Sequence, residues 1–354
     1  MKNKINPFPF SDDNKRYHTW NYYLKHRYGM KIAKIPLDAG FTCPNRDGTK
    51  GIGGCTFCTS AGSGDTIISN ETLAKQFDDG LAVMRRKWPD CGAIAYFQAY
   101  TNTYGTLQRL RECFEPFFDR PDVTAVSIAT RADCLEEDKI RYFAEIAEKK
   151  DLWIELGLQS IHDRTAAHVH RAHDYQQFYE CVQRLAQTKI KICVHLINSL
   201  PYESKEMMIE SAKAVGKLPV HALKIHMLHL MKHTQMANEY EKTPFHLQTM
   251  DEYVDTVIRQ LEVLPPHIIL QRLTGDGLAS DLIAPQWTVK KVQVLNEIDK
   301  AMVPETPGRG NFLSNNISWS CSLFSKLLQY AVCCKCRRII GCALSQILNV
   351  LIAN

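Results

Sequence analysis

Long apolar runs are scarce in this chain of 354 residues. The most apolar stretch, IIGCALSQILNVLIAN at residues 339–354, is short for a spanning helix and carries polar breaks, so no membrane partner is expected. Residues 1–15, MKNKINPFPFSDDNK, lack the apolar segment and cleavage pattern of a secretory signal. A strong charge of one sign is missing too. The 43 Lys and Arg against 38 Asp and Glu leave +5, which permits an anionic partner such as RNA without demanding one. A charged fraction of 23% beside 45% hydrophobic residues excludes wholesale disorder. Cysteine, by contrast, is abundant at 13 residues. Without a visible secretory signal these thiols point to a reducing cytoplasm, where they serve as ligands or core fillers rather than disulfides.

The length fits one large domain with appendages, or two modest domains. Apolar, β-branched runs at 31–39, 93–100, 122–130, 152–158, 189–197 and 220–228 read as buried strands with helical patterns between them. From the second onward they begin roughly thirty residues apart, the length of one βαβ unit. ESKEMMIESAKAVGKL (203–218), for example, sets Met208, Ala212 and Val215 on one helical face. The expected fold is α/β: a partial (β/α)6 TIM-type barrel with N-terminal and C-terminal extensions, and chemistry at the carboxyl ends of its strands. HIILQRL (267–273) reads as one further strand. The expected division is an aromatic and basic extension over 1–30, the barrel with its C-terminal strand over 31–303, and a Cys-rich tail over 304–354.

FTCPNRDGTKGIGGCTFC (41–58) follows the first of these strands. Cys43, Cys55 and Cys58 form a thiol trio suited to iron, because soft ligands stabilise an iron–sulfur cluster. Three cysteines on a 4Fe-4S cluster leave one iron open, which can chelate the amino and carboxylate groups of S-adenosylmethionine. Reductive cleavage of that cofactor yields a 5′-deoxyadenosyl radical. Gly48, Gly51, Gly53 and Gly54 let the backbone wrap a bulky group. The competing readings are incidental thiols or a structural zinc site completed by a histidine, although no second ligand pair lies near the loop.

The loop, together with AYFQAYTNTY (95–104), SIATRADCL (127–135), WIELGLQS (153–160), HRAHD (170–174) and LKIHMLHL (223–230), resembles the YhcC/YtqA group of radical-SAM proteins, relatives of the radical-SAM part of the elongator catalytic subunit. The resemblance implies a partial TIM barrel, a 4Fe-4S cluster, S-adenosylmethionine and a reductant such as flavodoxin or ferredoxin. It also implies a tRNA substrate, a wobble uridine whose carboxymethylaminomethyl group is trimmed to aminomethyl. The alternatives are a radical enzyme on a small molecule or protein, and a non-catalytic RNA-binding barrel with a structural metal loop. The chain departs from the group's pattern at Ser199, where glycine is usual before Leu-Pro, and at Ala132, where proline is usual. It departs again at MKHTQM (231–236), which replaces a Lys-Gly-Thr-Pro-like turn.

Further candidates follow from strand ends. Thr101 and Asn102 stand where such barrels hold the methionine amine, with ordinary turn chemistry as the alternative. Thr130 and Arg131 end the third strand, and Arg131 is expected to pair with the cofactor carboxylate, a phosphate or Asp133. Glu155 and Gln159 bracket the fourth. A carboxylate in LWIELGL needs a defined partner, for which a ribose diol or Arg171 is expected. His195 reads as a satisfied core residue and Lys224 as more often solvent-facing than luminal. His226, His229 and His233 are expected to scatter over different faces rather than bind a metal. The stretch holding Tyr17, Trp20, Tyr22, Tyr23 and Tyr28 among Lys15, Arg16, Lys25 and Arg27 either stacks a base and holds phosphates or packs a helix on the barrel.

Overall fold

The structure, a computed structural model, describes residue 6, residues 8–62 and residues 71–303. Apart from Val303 these belong to a unit spanning 1–302, and the tail expected over 304–354 lies outside the described residues. The chain opens with α1 (Trp20–Tyr28) and then alternates strand with helix. The order is β1 (Ile32–Leu37), α2 (Leu73–Arg85), β2 (Gly92–Phe97), α3 (Leu107–Phe118), β3 (Val123–Thr130), α4 (Glu137–Ala147) and β4 (Asp151–Gln159). It continues through α5 (Asp163–His168), α6 (Tyr175–Leu185), β5 (Lys191–Asn198), α7 (Lys205–Val215) and β6 (Ala222–Met227). A short β7 (Leu230–Met231), α8 (Gln235–Lys242) and α9 (Met250–Val263) precede β8 (Ile269–Arg272), β9 (Leu282–Ala284) and α10 (Lys291–Ala301). Thr72, Thr106, Ser204, Thr234 and Thr249 each accept an amide N–H at a helix start, which explains where those helices begin.

Seven parallel strands form one sheet in the order β1-β2-β3-β4-β5-β6-β8, so HIILQRL adds a seventh strand beside β6. In a flat sheet its two edge strands would stand roughly 29 Å apart, six strand spacings. Here Lys34 Nζ of β1 donates to Gln271 Oε1 of β8 at 3.2 Å. The sheet is therefore a curled half-barrel. Its outer face buries Ile35, Phe97, Ile128, Leu156, Val194 and Ile225 under the helices, where Phe77, Phe114, Phe117 and Phe178 fill the gap.

The inner face begins apolar and turns polar. Ile32, Ile94, Ala125, Trp153, Cys193, Ala222 and Ile269, one from each strand, form a cluster sealed by Trp20, Tyr23 and Tyr28 of α1. Trp20 meets Trp153 edge-on at 5.0 Å, and Tyr28 Oη donates to Asp151 at 2.6 Å. The N-terminal aromatics thus plug the end of the barrel where the strands start. The nearby charges are engaged: Lys25 with Asp12 at 2.6 Å, Arg27 with Asp151 at 3.1 Å and Lys15 with Asp299. Of the two readings of this stretch the aromatics take the packing one: they lie against the strand starts, at the end of the barrel opposite the mouth, and α1 carries Lys25 and Arg27 there with them.

The departures from the group's pattern fall at backbone positions that explain the usual residue. Ser199 has φ 71° and His233 has φ 61°, the left-handed region in which glycine costs nothing. Ala132 and Gln235 open helical turns, behind Arg131 at φ −107°, ψ 147° and Thr234 at φ −100°, ψ 154°. An extended residue followed by a first helical position is where proline fits.

Candidate active site

Parallel strands bring all their carboxyl ends to one mouth. The loop after β1 enters it with Cys43, Cys55 and Cys58, none of them fully buried. Its turn is held by Arg46 N–H to Cys43 O at 2.8 Å, Gly54 N–H to Asn45 O at 2.8 Å and Thr56 N–H to Val169 O at 3.0 Å. Gly54 has φ 87°, and a Cβ there would meet the Arg46 side chain at 3.0 Å, so any other residue would strain the loop and displace Arg46. Asn45 Nδ2 donates to Cys55 Sγ at 3.5 Å. The Cys55 thiol is drawn down to about 7 by its hydrogen bond with Cys58, with Arg131 and Asn45 adding to the effect, while the same contact and burial push Cys58 up.

Around the loop stand most of the residues expected there. Thr101 N–H donates to Thr42 O at 3.2 Å and ties the loop to the end of β2. Asn102 is fully buried; its Nδ2 donates to Ala99 O and Ala129 O at 3.0 Å, and its Oδ1 has no hydrogen-bond partner among the described residues. Arg131 forms a bidentate pair with Asp133 at 2.9 Å, the structural alternative foreseen for it, and still lends its charge to Cys55. Gln159 closes β4 at φ 61° with Oε1 buried and unpartnered. Arg171 donates to Ser160 O at 2.6 Å, His173 O at 2.9 Å and Leu158 O, and its Nη2 is left without a hydrogen-bond partner. Thr130 falls on the helix-packed face, where its hydroxyl meets Thr103 at 2.6 Å.

Glu155 departs from expectation. Its partners are neither a diol nor Arg171 but Lys34, Lys224, Ser127 Oγ at 2.5 Å and His195 Nε2 at 2.9 Å. All sit two residues beyond the apolar cluster on their strands, so alternation turns them inward. Burial opposes ionisation of Glu155, yet the ammonium groups of Lys224 and Lys34 outweigh it and hold the carboxyl well below its ordinary range. Burial draws His195 down to about 4, which keeps it neutral. Lys224 is thus luminal, not solvent-facing, because its partner anion Glu155 lies on β4, two strands away in the sheet, and can be reached only across the lumen. Lys34, Ser127 and Tyr96 escaped the sequence reading, although a lysine at alternating spacing in KIAKIPL was the available signal. His226 and His229 do not converge on a metal; His229 Nδ1 contacts Met227 O at 3.2 Å.

Comparison with known proteins identifies the arrangement. Residues 43–215 match the radical SAM superfamily and residues 220–303 the radical-SAM C-terminal domain. Protein YtqA of Bacillus subtilis is 48% identical over 309 residues, covering 87% of this chain and 96% of its own length. The chain belongs to the radical-SAM superfamily. Protein YhcC of Escherichia coli, another relative, is 32% identical across 78% of this chain and 89% of its own. A tRNA uridine(34) acetyltransferase of Methanocaldococcus infernus is 22% identical over 45% of this chain and 30% of its own. The solved structure of an N-terminally truncated Elp3 from the same archaeon shares the fold, with a TM-score of 0.58 at 15% identity over 78% of this chain and 64% of that one.

Radical-SAM enzymes use a 4Fe-4S cluster and S-adenosylmethionine and need a reductant, and the donor set here suits both groups. A tetrahedral zinc with bonds of about 2.3 Å needs thiolates about 3.8 Å apart. The three sulfurs of the loop do not all lie within 4.8 Å of one another, so as they stand they do not form a closed single-ion site. Asn102 Oδ1 and Gln159 Oε1, which accept no hydrogen bond among the described residues, and Arg171 Nη2, which has Asp163 as an ion-pair partner at 3.9 Å, offer two acceptors and one donor to a polar cofactor. Among the described residues no helix is long and apolar enough to cross a membrane.

Proposed function

We propose that Cys43, Cys55 and Cys58 hold the cluster and that Asn102, Gln159 and Arg171 bind S-adenosylmethionine, in a cytoplasmic enzyme that acts on the wobble uridine of tRNA. The observation that carries the site assignment is the thiol trio at the mouth with unpartnered buried polar atoms around it. Once bound, the cluster and cofactor supply reductive cleavage to a 5′-deoxyadenosyl radical, with flavodoxin or ferredoxin as electron source. The chain's own residues position and insulate. Asn102 Oδ1 would accept from the amino group of the methionine moiety, and Gln159 Oε1 would accept from a ribose hydroxyl. Arg131 and Arg171 offset the negative charge of the thiolates, and Thr101 anchors the loop. The α1 plug closes the far end of the barrel and keeps water from entering behind the substrate.

The substrate reading is a carboxymethylaminomethyl uridine converted to the aminomethyl form. Its support is the relative that acts, by its name, on tRNA uridine 34, together with the polar lining of the lumen. Nucleoside analysis of tRNA from cells with and without the gene tests it. Loss of the gene is expected to raise the carboxymethylaminomethyl nucleoside and deplete the aminomethyl-derived ones. An unchanged profile, in cells with no second enzyme for the step, refutes the tRNA assignment and leaves the radical chemistry with another substrate.

A further inference from the structure

The inner layer around Glu155 has no role in holding the cluster or S-adenosylmethionine in the assignment above. Its charges do not balance. Lys34 and Lys224 face a single carboxylate, Glu155, while burial keeps His195 neutral and holds the Tyr96 hydroxyl protonated, pushed up to about 12. Arg272, the next cation, is paired with Asp276 at 2.5 Å. Lys34 and Lys224 together thus carry more positive charge than Glu155 cancels, by up to one unit as Lys34 protonates. Both ammonium groups also lie over the Tyr96 ring, at 3.9 and 4.7 Å.

The layer is sealed on one side and open on the other. The Glu155 and Lys224 side chains are 0% and 6% exposed, whereas Lys34 and His195 keep 21% and 17%. Gln271 spends its oxygen on Lys34, which leaves Nε2 buried and unpartnered. A divalent cation is the wrong ligand here. Glu155, Cys193 and His195 do bring donor atoms within 4.8 Å of one another, but two ammonium groups already occupy the carboxylate and burial keeps the Cys193 thiol protonated. Surplus N–H donors and a surplus cation call for an oxyanion.

We propose that this layer binds the carboxylate of the substrate, with the Lys34 ammonium as its direct partner and the Gln271 amide beside it. The proposal rests on the tRNA reading above, in which the uridine side chain ends in a carboxylate. Burial lowers Lys34 to about 7, so it is only part-charged at neutral pH, and an incoming carboxylate completes its protonation. Selectivity follows: the product, which has lost that carboxylate, loses the contact and leaves.

The test compares two anticodon stem-loop RNAs, one bearing carboxymethylaminomethyl uridine and one its carboxamide, as ligands of the full-length, cluster-reconstituted protein. The parent is expected to bind the acid about tenfold or more tightly than the amide, as befits a charge-assisted contact. Lys34→Gln is expected to bring the ratio near one with iron content retained, Lys34→Arg to restore a preference for the acid, and Gln271→Met to shrink it severalfold. A parental ratio near one overturns the site, as does a Lys34→Gln or Gln271→Met protein that keeps the full preference. Product formation, read separately, distinguishes the two assignments. Discrimination without an aminomethyl product sinks the reaction and spares the site, whereas product without discrimination does the reverse.

Discussion

Replacing Glu155 by Gln leaves the volume of the inner layer almost unchanged and removes the one anion that two buried ammonium groups share. Unpairing a buried charge costs about 3–5 kcal/mol. Set against a total stability of about 5–15 kcal/mol, that is a large fraction. For a unit of about 300 residues, which unfolds with about 2.1 cal/mol/K per residue, it corresponds to a fall in Tm of roughly 5–8 °C. The penalty depends on pH in a defined direction. Lys34 stands at about 7 even with Glu155 present, and removing Glu155 withdraws a contribution that raises it. An unfolded lysine titrates near 10.4, so across the interval between the two values the unfolded state binds more protons and stability rises with pH. The variant's folded value lies below the parent's, so the Lys34 share of the loss is complete below the variant's value and is gone once pH exceeds the parent's value of about 7. Urea denaturation at pH 6 and pH 9 is the assay, with far-UV circular dichroism to confirm the fold. The variant is expected to lose most at pH 6, and Glu155→Gln with Lys224→Met to recover much of the loss. A variant within about 1 kcal/mol of the parent at pH 6, or one with no pH trend, refutes the reasoning that these charges are buried and mutually dependent.

Alanine at any one of Cys43, Cys55 or Cys58 is expected to abolish formation of 5′-deoxyadenosine, whereas alanine at buried Cys91, Cys113 or Cys181 leaves it near the parental rate; chromatography of the nucleoside products decides. Ala132→Pro and Gln235→Pro are each expected to stabilise by about 0.4–1 kcal/mol, because the preceding residues are already extended and proline restricts only the unfolded chain. Thermal melts check this, and a drop in Tm contradicts it. Trp20→Ala is expected to cost about 2–4 kcal/mol by opening the plug over Trp153, also read by thermal melting. Neutralising Lys25 and Arg27 together is expected to leave tRNA affinity within about twofold, since their partners are Asp12 and Asp151 at the closed end; a tenfold loss in a filter-binding assay would return that helix to the RNA interface.

Local pattern carried the barrel. Each strand of the βαβ series is a short apolar run flanked by a helical period, and that information is contained within about thirty residues. The cysteine loop was legible in part for the same reason: Cys43, Cys55 and Cys58 are close in sequence and suggest a thiolate site, while the motifs spread along the rest of the chain carried the resemblance that favoured a cluster over zinc. The α1 stretch was legible only as a choice, because aromatics between cations suit both a base and a barrel floor. What settled it was Trp153, 133 residues away and reachable only once β4 is in the sheet.

The inner layer was the least visible. Lys34, Ser127, Glu155, His195 and Lys224 come from five strands, and nothing in their own neighbourhoods names their partners. A lone Lys or His in a strand has two faces open to it, and the bland reading is the commoner one. The amino-acid sequence by itself determined the alternation of strand and helix, the thiol trio and its place after the first strand. Only closure of the sheet decided that β1 meets β8 and that two lysines share Glu155. The reason is that curling sums small twists between neighbouring strands into contacts between distant ones, and the electrostatics of a lumen exist only after that sum is made.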